Sequence, residues 1–307
     1  MEAVQLITYA AVVIGIIAMA VKVFRYASAP ESMRWELYPV PHEKGRAEYG
    51  GSYLEELDWW TKTRQSDMFN ELKEMASEIL LLKGVFHHNK SVWTWSLPFH
   101  GGMYIGIGWL VLLIVGAILS MNGVAIDAAA GGFGAIVHYL TVVLGYAAMI
   151  LTGIGALGLF FWRMGSKFQR SYSSPIEYFN LLFFDAIVVI ALVNHLTNDP
   201  GFVILRGYFA SLISFSAAGP MPAAMKAEVI VGSILLAYIP LTRMSHFVAK
   251  YFLYHAVRWN DEPNERGSKI EAHIIASLSK KVGWSAPHIQ TGKTWGEVIT
   301  ETKEPKK

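Results

Sequence analysis

Five stretches of this chain are apolar for long enough to cross a lipid bilayer: Val4–Phe24, Leu97–Met121, Phe133–Trp162, Tyr178–Leu196 and Ala227–Leu253. A helical span needs roughly 20 mostly apolar residues, and hydrocarbon offers backbone amides no partner but the helix itself. Hydrophobic residues make up 53% of the 307, charged ones 16%, and the apolar residues come in blocks; this excludes an ordinary soluble domain. The expected fold is therefore all-α and integral to the membrane. Spans are expected at 1–26, 97–121, 133–162, 178–196 and 227–254, with an insertion at 27–96, a loop at 197–226 and a tail at 255–307. The first run does not read as a secretory leader, because Lys22 and Arg25 follow the apolar stretch instead of preceding it.

The basic residues orient the spans. Arg34–Lys90 carries eight Lys and Arg, Arg163, Lys167 and Arg170 follow the third span, and the tail is rich in them. Asn122–Gly132 has none, and Asn198–Lys226 has only Arg206 and Lys226. The positive-inside rule then puts the N-terminus outside and the insertion and C-terminus in the cytoplasm, as in a multi-pass protein of the cell membrane. The bilayer is the first partner, and no nucleic-acid partner is expected.

The insertion opens on the Pro-rich, charged run Arg34–Gly51 and continues as an amphipathic pattern from Leu54 to Lys83, with Leu57, Trp60, Phe69, Leu72, Ile79 and Leu82 roughly on one side. Its aromatic density suits docking of a partner, and a self-contained cytoplasmic cap is the plainer alternative. The apolar piece Phe202–Phe215 is too short to span, so an interfacial or shallow re-entrant position is expected.

Histidine placement carries the chemistry. Ionisable side chains at membrane depth are costly and usually face the bundle interior as functional groups. His100 opens the second span and His246 lies near the end of the fifth, both towards the cytoplasmic side. His138 lies just inside the third and His195 at the end of the fourth, both towards the outer side. Two pairs, one per leaflet and each drawn from two helices, are the pattern of bis-histidine haem in a helical bundle. The plain alternative for each histidine is a hydrogen bond to a neighbouring helix. His42, His87, His88, His255, His273 and His288 fall outside the spans and read as ordinary interfacial, surface or partner-facing residues. The chain has no cysteine, hence no thiolate-held cluster and no covalently attached haem, so redox chemistry here points to non-covalent haem. Gly101, Gly102, Gly106 and Gly108 leave room for a flat macrocycle or for a close helix. Arg243 and Lys250, one turn either side of His246, suit haem propionates or simple snorkelling to the interface.

Phe99-His100-Gly101-Gly102 and Thr242-Arg243-Met244-Ser245-His246 resemble the F-H-x-G and T-R-x-x-H motifs of the gamma, cytochrome b, subunit of respiratory nitrate reductases. That resemblance implies five helices, an outside N-terminus and haem b ligated by His100 and His246. The family's second pair of ligands would fall at Leu110 and Glu228, so the resemblance does not carry the outer haem; His138 and His195 are at the depth to rebuild it. The Arg34–Gly51 insertion is similar instead to cytochrome b subunits that accompany heterodisulfide-reductase-like iron–sulfur proteins in menaquinol-oxidoreductase and sulfite-reduction-associated complexes of anaerobes.

The expectation is a membrane cytochrome b with two haems, passing electrons between menaquinone and a cytoplasmic iron–sulfur subunit of the heterodisulfide reductase type, with room for further membrane or outer-face redox subunits. Glu228, at the outer start of the fifth span, is the expected proton acceptor of a quinone site, with Asp199 and Arg206 near it. Pairing of Glu228 with Lys226 or solvent is the plain alternative. A haem-free anchor and a histidine-based proton transporter remain open, although no inverted repeat favours the latter.

Overall fold

The computed structural model describes residues 2–29, 56–63, 68–254, 263–286, 289 and 291–301. The Arg34–Gly51 run, with its proposed docking role, and His42, His255 and His288 lie outside the described residues. Those described are helical and contain no strand, only the isolated bridges Lys281–Thr294 and Ala286–Ile289.

Five helices are long and apolar enough to cross a membrane: α1 (Ala3–Ala27), α4 (Lys90–Met121), α5 (Gly132–Gly165), α7 (Pro175–Thr197) and α9 (Ala223–Leu241). The short helices between them are α2 (Met68–Leu80), α3 (Lys83–His88), α6 (Lys167–Tyr172) and α8 (Val203–Ile213). Beyond α9 come α10 (His246–Tyr254), α11 (Lys269–Leu278) and α12 (Trp295–Thr300). Among the described residues of the Leu54–Lys83 pattern are a 3-10 turn at Trp59–Thr61 and α2, and Leu82, at φ 52°, separates α2 from α3.

The largest departure from expectation is in the fifth span. Hydropathy runs on to Leu253, but the helix stops at Leu241 and Thr242 is extended, at φ −116° and ψ −177°. Pro240 has no amide hydrogen to give the helix and its ring crowds the preceding turn, so the helix ends beside it. A 3-10 turn at Arg243–Ser245 follows, and His246 opens α10.

The chain forms two compact units. The first comprises Met1–Ala18 and Met75–Arg243. Its spine is the antiparallel pair α4 and α5, zipped by exchange of large for small residues. A Cβ on Gly102 would lie 2.5 Å from the Thr152 amide nitrogen, and one on Gly145 2.6 Å from Trp109 Nε1. Cβ atoms on Gly155 and Gly158 would run into Phe99 and Trp95. Small residues let membrane helices approach closely where no hydrophobic force pulls them together. α7 joins through Val188 against Gly153, and Phe184 packs edge-on to Phe99 at 5.2 Å.

α8 is too short to span and packs one face on the core. Leu205, Arg206, Tyr208 and Ser211 are all buried, and Leu205 and Tyr208 join Leu113, Phe202 and Met225 in the core. The N-terminal half of α1 is tied to this region by Gln5, which is fully buried and donates to Ser211 Oγ at 3.1 Å and to the Ser216 carbonyl at 2.8 Å.

The second unit comprises Met19–Glu74 and Met244–Lys307. In it Lys22 Nζ donates to the buried Ser245 Oγ, and a small C-terminal piece joins Val282 to Lys293 and α11 to α12. Thr294 and Glu297 form a capping box at the start of α12. The hydrogen bonds that Thr294 gives to its carboxyl hold Glu297 below the usual carboxylate range.

Candidate functional site

His100 projects from α4, half-buried. Its Nδ1 lies 2.8 Å from the Ser96 carbonyl one turn earlier, so Nδ1 carries the proton and the ring's lone pair is on Nε2. A backbone carbonyl on Nδ1 is the usual way to orient a metal-ligating imidazole. The glycines that follow divide their work. Gly102 is filled by α5, whereas a Cβ on Gly101 or Gly108 would meet no atom within 4 Å. The Ser96 carbonyl on Nδ1 is compatible with an axial-ligand role for this imidazole. His246 and Arg243 are both exposed; His246 belongs to the second compact unit, His100 to the first.

The expected outer pair is placed differently. His195, at the last turn of α7, is fully buried, and its imidazole is engaged on both sides. Nδ1 donates to the Asp199 carbonyl at 3.0 Å, and Nε2 lies 2.9 Å from Glu228 Oε1. Glu228 Oε2 accepts from Asn194 Nδ2 at 2.6 Å, so the carboxyl is held by two side chains of α7. With Nδ1 occupied by its own proton, Nε2 and Glu228 share one more between them. His138 is half-buried on α5, and its buried Nδ1 has no hydrogen-bond partner; a Cβ on Gly201 would come within 3.2 Å of its ring. His138 and His195 as they stand do not fit a bis-histidine iron site, because iron on His195 would have to displace Glu228 or the Asp199 carbonyl. Leu110, where the family's ligand would fall, is exposed.

Glu228 is buried and turned to His195 and Asn194. Lys226 faces Glu2 instead, at 3.5 Å. Asp199 serves the chain turn. Its Oδ1 accepts from the amides of Val203 and Ile204 and its Oδ2 from Leu205, closing the start of α8 with negative charge. That closure offsets the left-handed backbone of Phe202, at φ 56°, a conformation that costs a bulky residue about 1–3 kcal/mol. The Phe202 ring is thereby set 4.2 Å from the His195 ring and 5.3 Å from Trp109. Arg206 is buried and donates to the Ile126 carbonyl at 2.6 Å. Burial draws its guanidinium below the usual range, against the pull of Asp199 and Asp127.

Three of these residues were not foreseen as site residues. Asn194 and Phe202 complete the surroundings of His195. Asp185, in the middle of α7, has both carboxylate oxygens buried with no hydrogen-bond partner. The Asn198-Asp199-Pro200-Gly201 run ahead of an apolar stretch carries a turn and helix-start signal for the first group. For Asp185 the signal is plainer still, a lone acid inside an apolar span. No family model, curated protein or solved structure matches the chain.

Proposed function

We propose that this chain is the haem b subunit of a membrane quinone oxidoreductase, passing electrons between menaquinone and a cytoplasmic iron–sulfur protein of the heterodisulfide reductase type. The N-terminus is outside and the α4 start and C-terminal tail face the cytoplasm of the cell membrane, on the distribution of Lys and Arg. One observation carries the reading: His100, within its F-H-x-G motif, is held on a membrane helix by Ser96 with the lone pair on Nε2. His100 and His246 would hold the haem, and Arg243 is the cation nearest in sequence for its propionates. A haem there supplies a one-electron carrier, and the protein supplies ligation and electrostatics.

Glu228 is the proposed proton acceptor of the quinol. The carboxyl takes a hydroxyl proton, and His195, whose Nε2 lies against Glu228 Oε1 and whose Nδ1 is held by the Asp199 carbonyl, shares that proton with it. Its burial between His195 and Asn194 supports this role over that of a solvated surface acid.

Purified protein should show a sharp reduced b-type absorbance. His100→Ala and His246→Ala should each abolish the haem they share, and Glu228→Gln should slow quinol-dependent haem reduction at unchanged haem content. Purified protein without haem leaves the anchor or transporter readings in place, and haem retained in full by both histidine variants overturns the assignment of His100 and His246 as its ligands.

A further inference from the structure

α6 takes no part in the sites above, yet its place in the chain fixes its level in the membrane. α5 ends at Gly165 and α7 begins at Pro175, and both are long and apolar enough to span, so the segment between them stays at one membrane face. Ser166 accepts the Gln169 amide hydrogen at 3.4 Å and starts the helix, and Ser173 leaves it in extended backbone. Within Lys167–Tyr172 the residues Phe168 and Tyr172 fall one turn apart, with Lys167 and Arg170 beside them. The two rings pack at 4.7 Å and are 66% and 74% exposed.

Acid is scarce in this part of the chain: between Asp127 and Asp185 only Glu177 carries a carboxyl. Arg163 takes it, with Nη1 3.5 Å from Glu177 Oε2 and 3.0 Å from Ser173 Oγ, and the Ser174 amide donates to the same carboxyl oxygen at 2.9 Å. Lys167 and Arg170 are exposed and have no acidic partner among the described residues. Arg170 is nonetheless held, because its Nη1 donates to the Met164 carbonyl at 2.5 Å, which ties the guanidinium to the end of α5. An exposed aromatic pair beside unmatched cations is the make-up of an interfacial anchor, with rings at the acyl boundary and charges among the headgroups. The neighbours in the chain show what covers the rings. Phe161 and Met164 at the end of α5, and Ile176 and Phe179 at the start of α7, are likewise exposed, on helices whose outer surface can only be covered by lipid or by another membrane helix.

We propose that α6, with the end of α5, is a binding site for an anionic phospholipid, with Lys167 and Arg170 on its phosphate and Phe168 and Tyr172 against its glycerol and upper acyl chains. The site depends on α5 and α7 being spans, and not on haem, on quinone or on which side of the membrane it opens. A zwitterionic lipid carries the same phosphate together with a cation of its own, so the selection made by Lys167 and Arg170 is for net negative charge. A basic residue beside an anionic surface strengthens binding about fivefold, so the two together set a preference of about thirtyfold.

The test places the full chain in nanodiscs of phosphatidylcholine with a minor share of phosphatidylglycerol, releases it into native mass spectrometry and counts the lipids that stay bound. The wild type should retain phosphatidylglycerol well above its share in the disc. Lys167→Gln combined with Arg170→Gln should lose most of that enrichment, and the charge-conserving Lys167→Arg with Arg170→Lys should keep it. Neutralising an exposed pair in the tail, Lys280→Gln with Lys281→Gln, should leave it unchanged, which separates a site from diffuse attraction. Equal retention of the two lipids by the wild type overturns the proposal. So does enrichment that persists in the Lys167→Gln, Arg170→Gln protein, or an equal loss in the tail variant. Should the double variant fail to fold, Lys167→Gln alone must lower the enrichment about fivefold, and an unchanged value overturns the site.

Discussion

The histidines on α4 and at the end of α7 differ in what surrounds the ring. His100 has a backbone carbonyl on Nδ1 and, beside it, a glycine facing open space. His195 has a carbonyl on Nδ1, a carboxyl on Nε2 and a phenyl ring 4.2 Å away, with no exposed surface. Depth in the membrane is the same kind of signal for both, and it does not tell a ligand from a hydrogen-bonded structural or proton-handling group. What marks His195 is that a carboxyl on α9 holds its Nε2 while a backbone carbonyl holds its Nδ1.

That contrast is sharpest in the cofactor. His100→Ala should remove the b-type absorbance it supports completely, while His195→Ala should leave haem content unchanged, as read from the reduced-minus-oxidised spectrum and a haem count. If His195→Ala halves the haem count, the imidazole leaves Glu228 when iron is bound and the contrast fails.

The order should reverse for stability. Removing His195 leaves a buried carboxyl and a carbonyl without their partner, a loss of about 3–5 kcal/mol, visible as earlier thermal or denaturant unfolding in detergent. His100→Ala in haem-free protein should cost far less.

A smaller effect compares the glycines near His100. A Cβ on Gly155 would strike the Phe99 backbone, whereas one on Gly101 meets nothing within 4 Å. Gly155→Ala should destabilise by about 1–3 kcal/mol through overpacking, and Gly101→Ala should leave unfolding unchanged in haem-free protein. Equal effects would mean that α4 and α5 are not zipped in this register.

Much of the fold was legible because membrane length is a one-dimensional property. Four of the five spans end within a few residues of where hydropathy puts them, apart from the early start of α4 at Lys90. The fifth does not, because hydropathy scores Pro240 through Leu253 as continuous while the helix ends at Leu241 and Thr242 is extended. The site was legible only as separate parts. His195 and Glu228 both stand out in the sequence, one as a ligand and one as a base. That they meet depends on the register of α7 against α9, which no local pattern encodes. Asp199, placed by the sequence near Glu228, serves to close the start of α8. Asp185 stands out less than the histidines in the sequence, although it is the one acid of its span beyond the first turn, where Glu177 lies.

The lengths of α4 and α5 have a consequence of their own. With 32 and 34 residues, they run to about 50 Å at 1.5 Å per residue, against a hydrocarbon core of about 30 Å. A rigid antiparallel pair with that mismatch must lean or stand proud of the bilayer. At the end where α4 begins and α5 finishes, Trp93, Trp95, Trp162 and Arg163 collect, and Trp162 Nε1 bonds Ser91 Oγ across the pair. Aromatic and basic residues of this kind settle at the headgroup level. The two helices thus act as a post whose height above the lipid is set by the membrane itself.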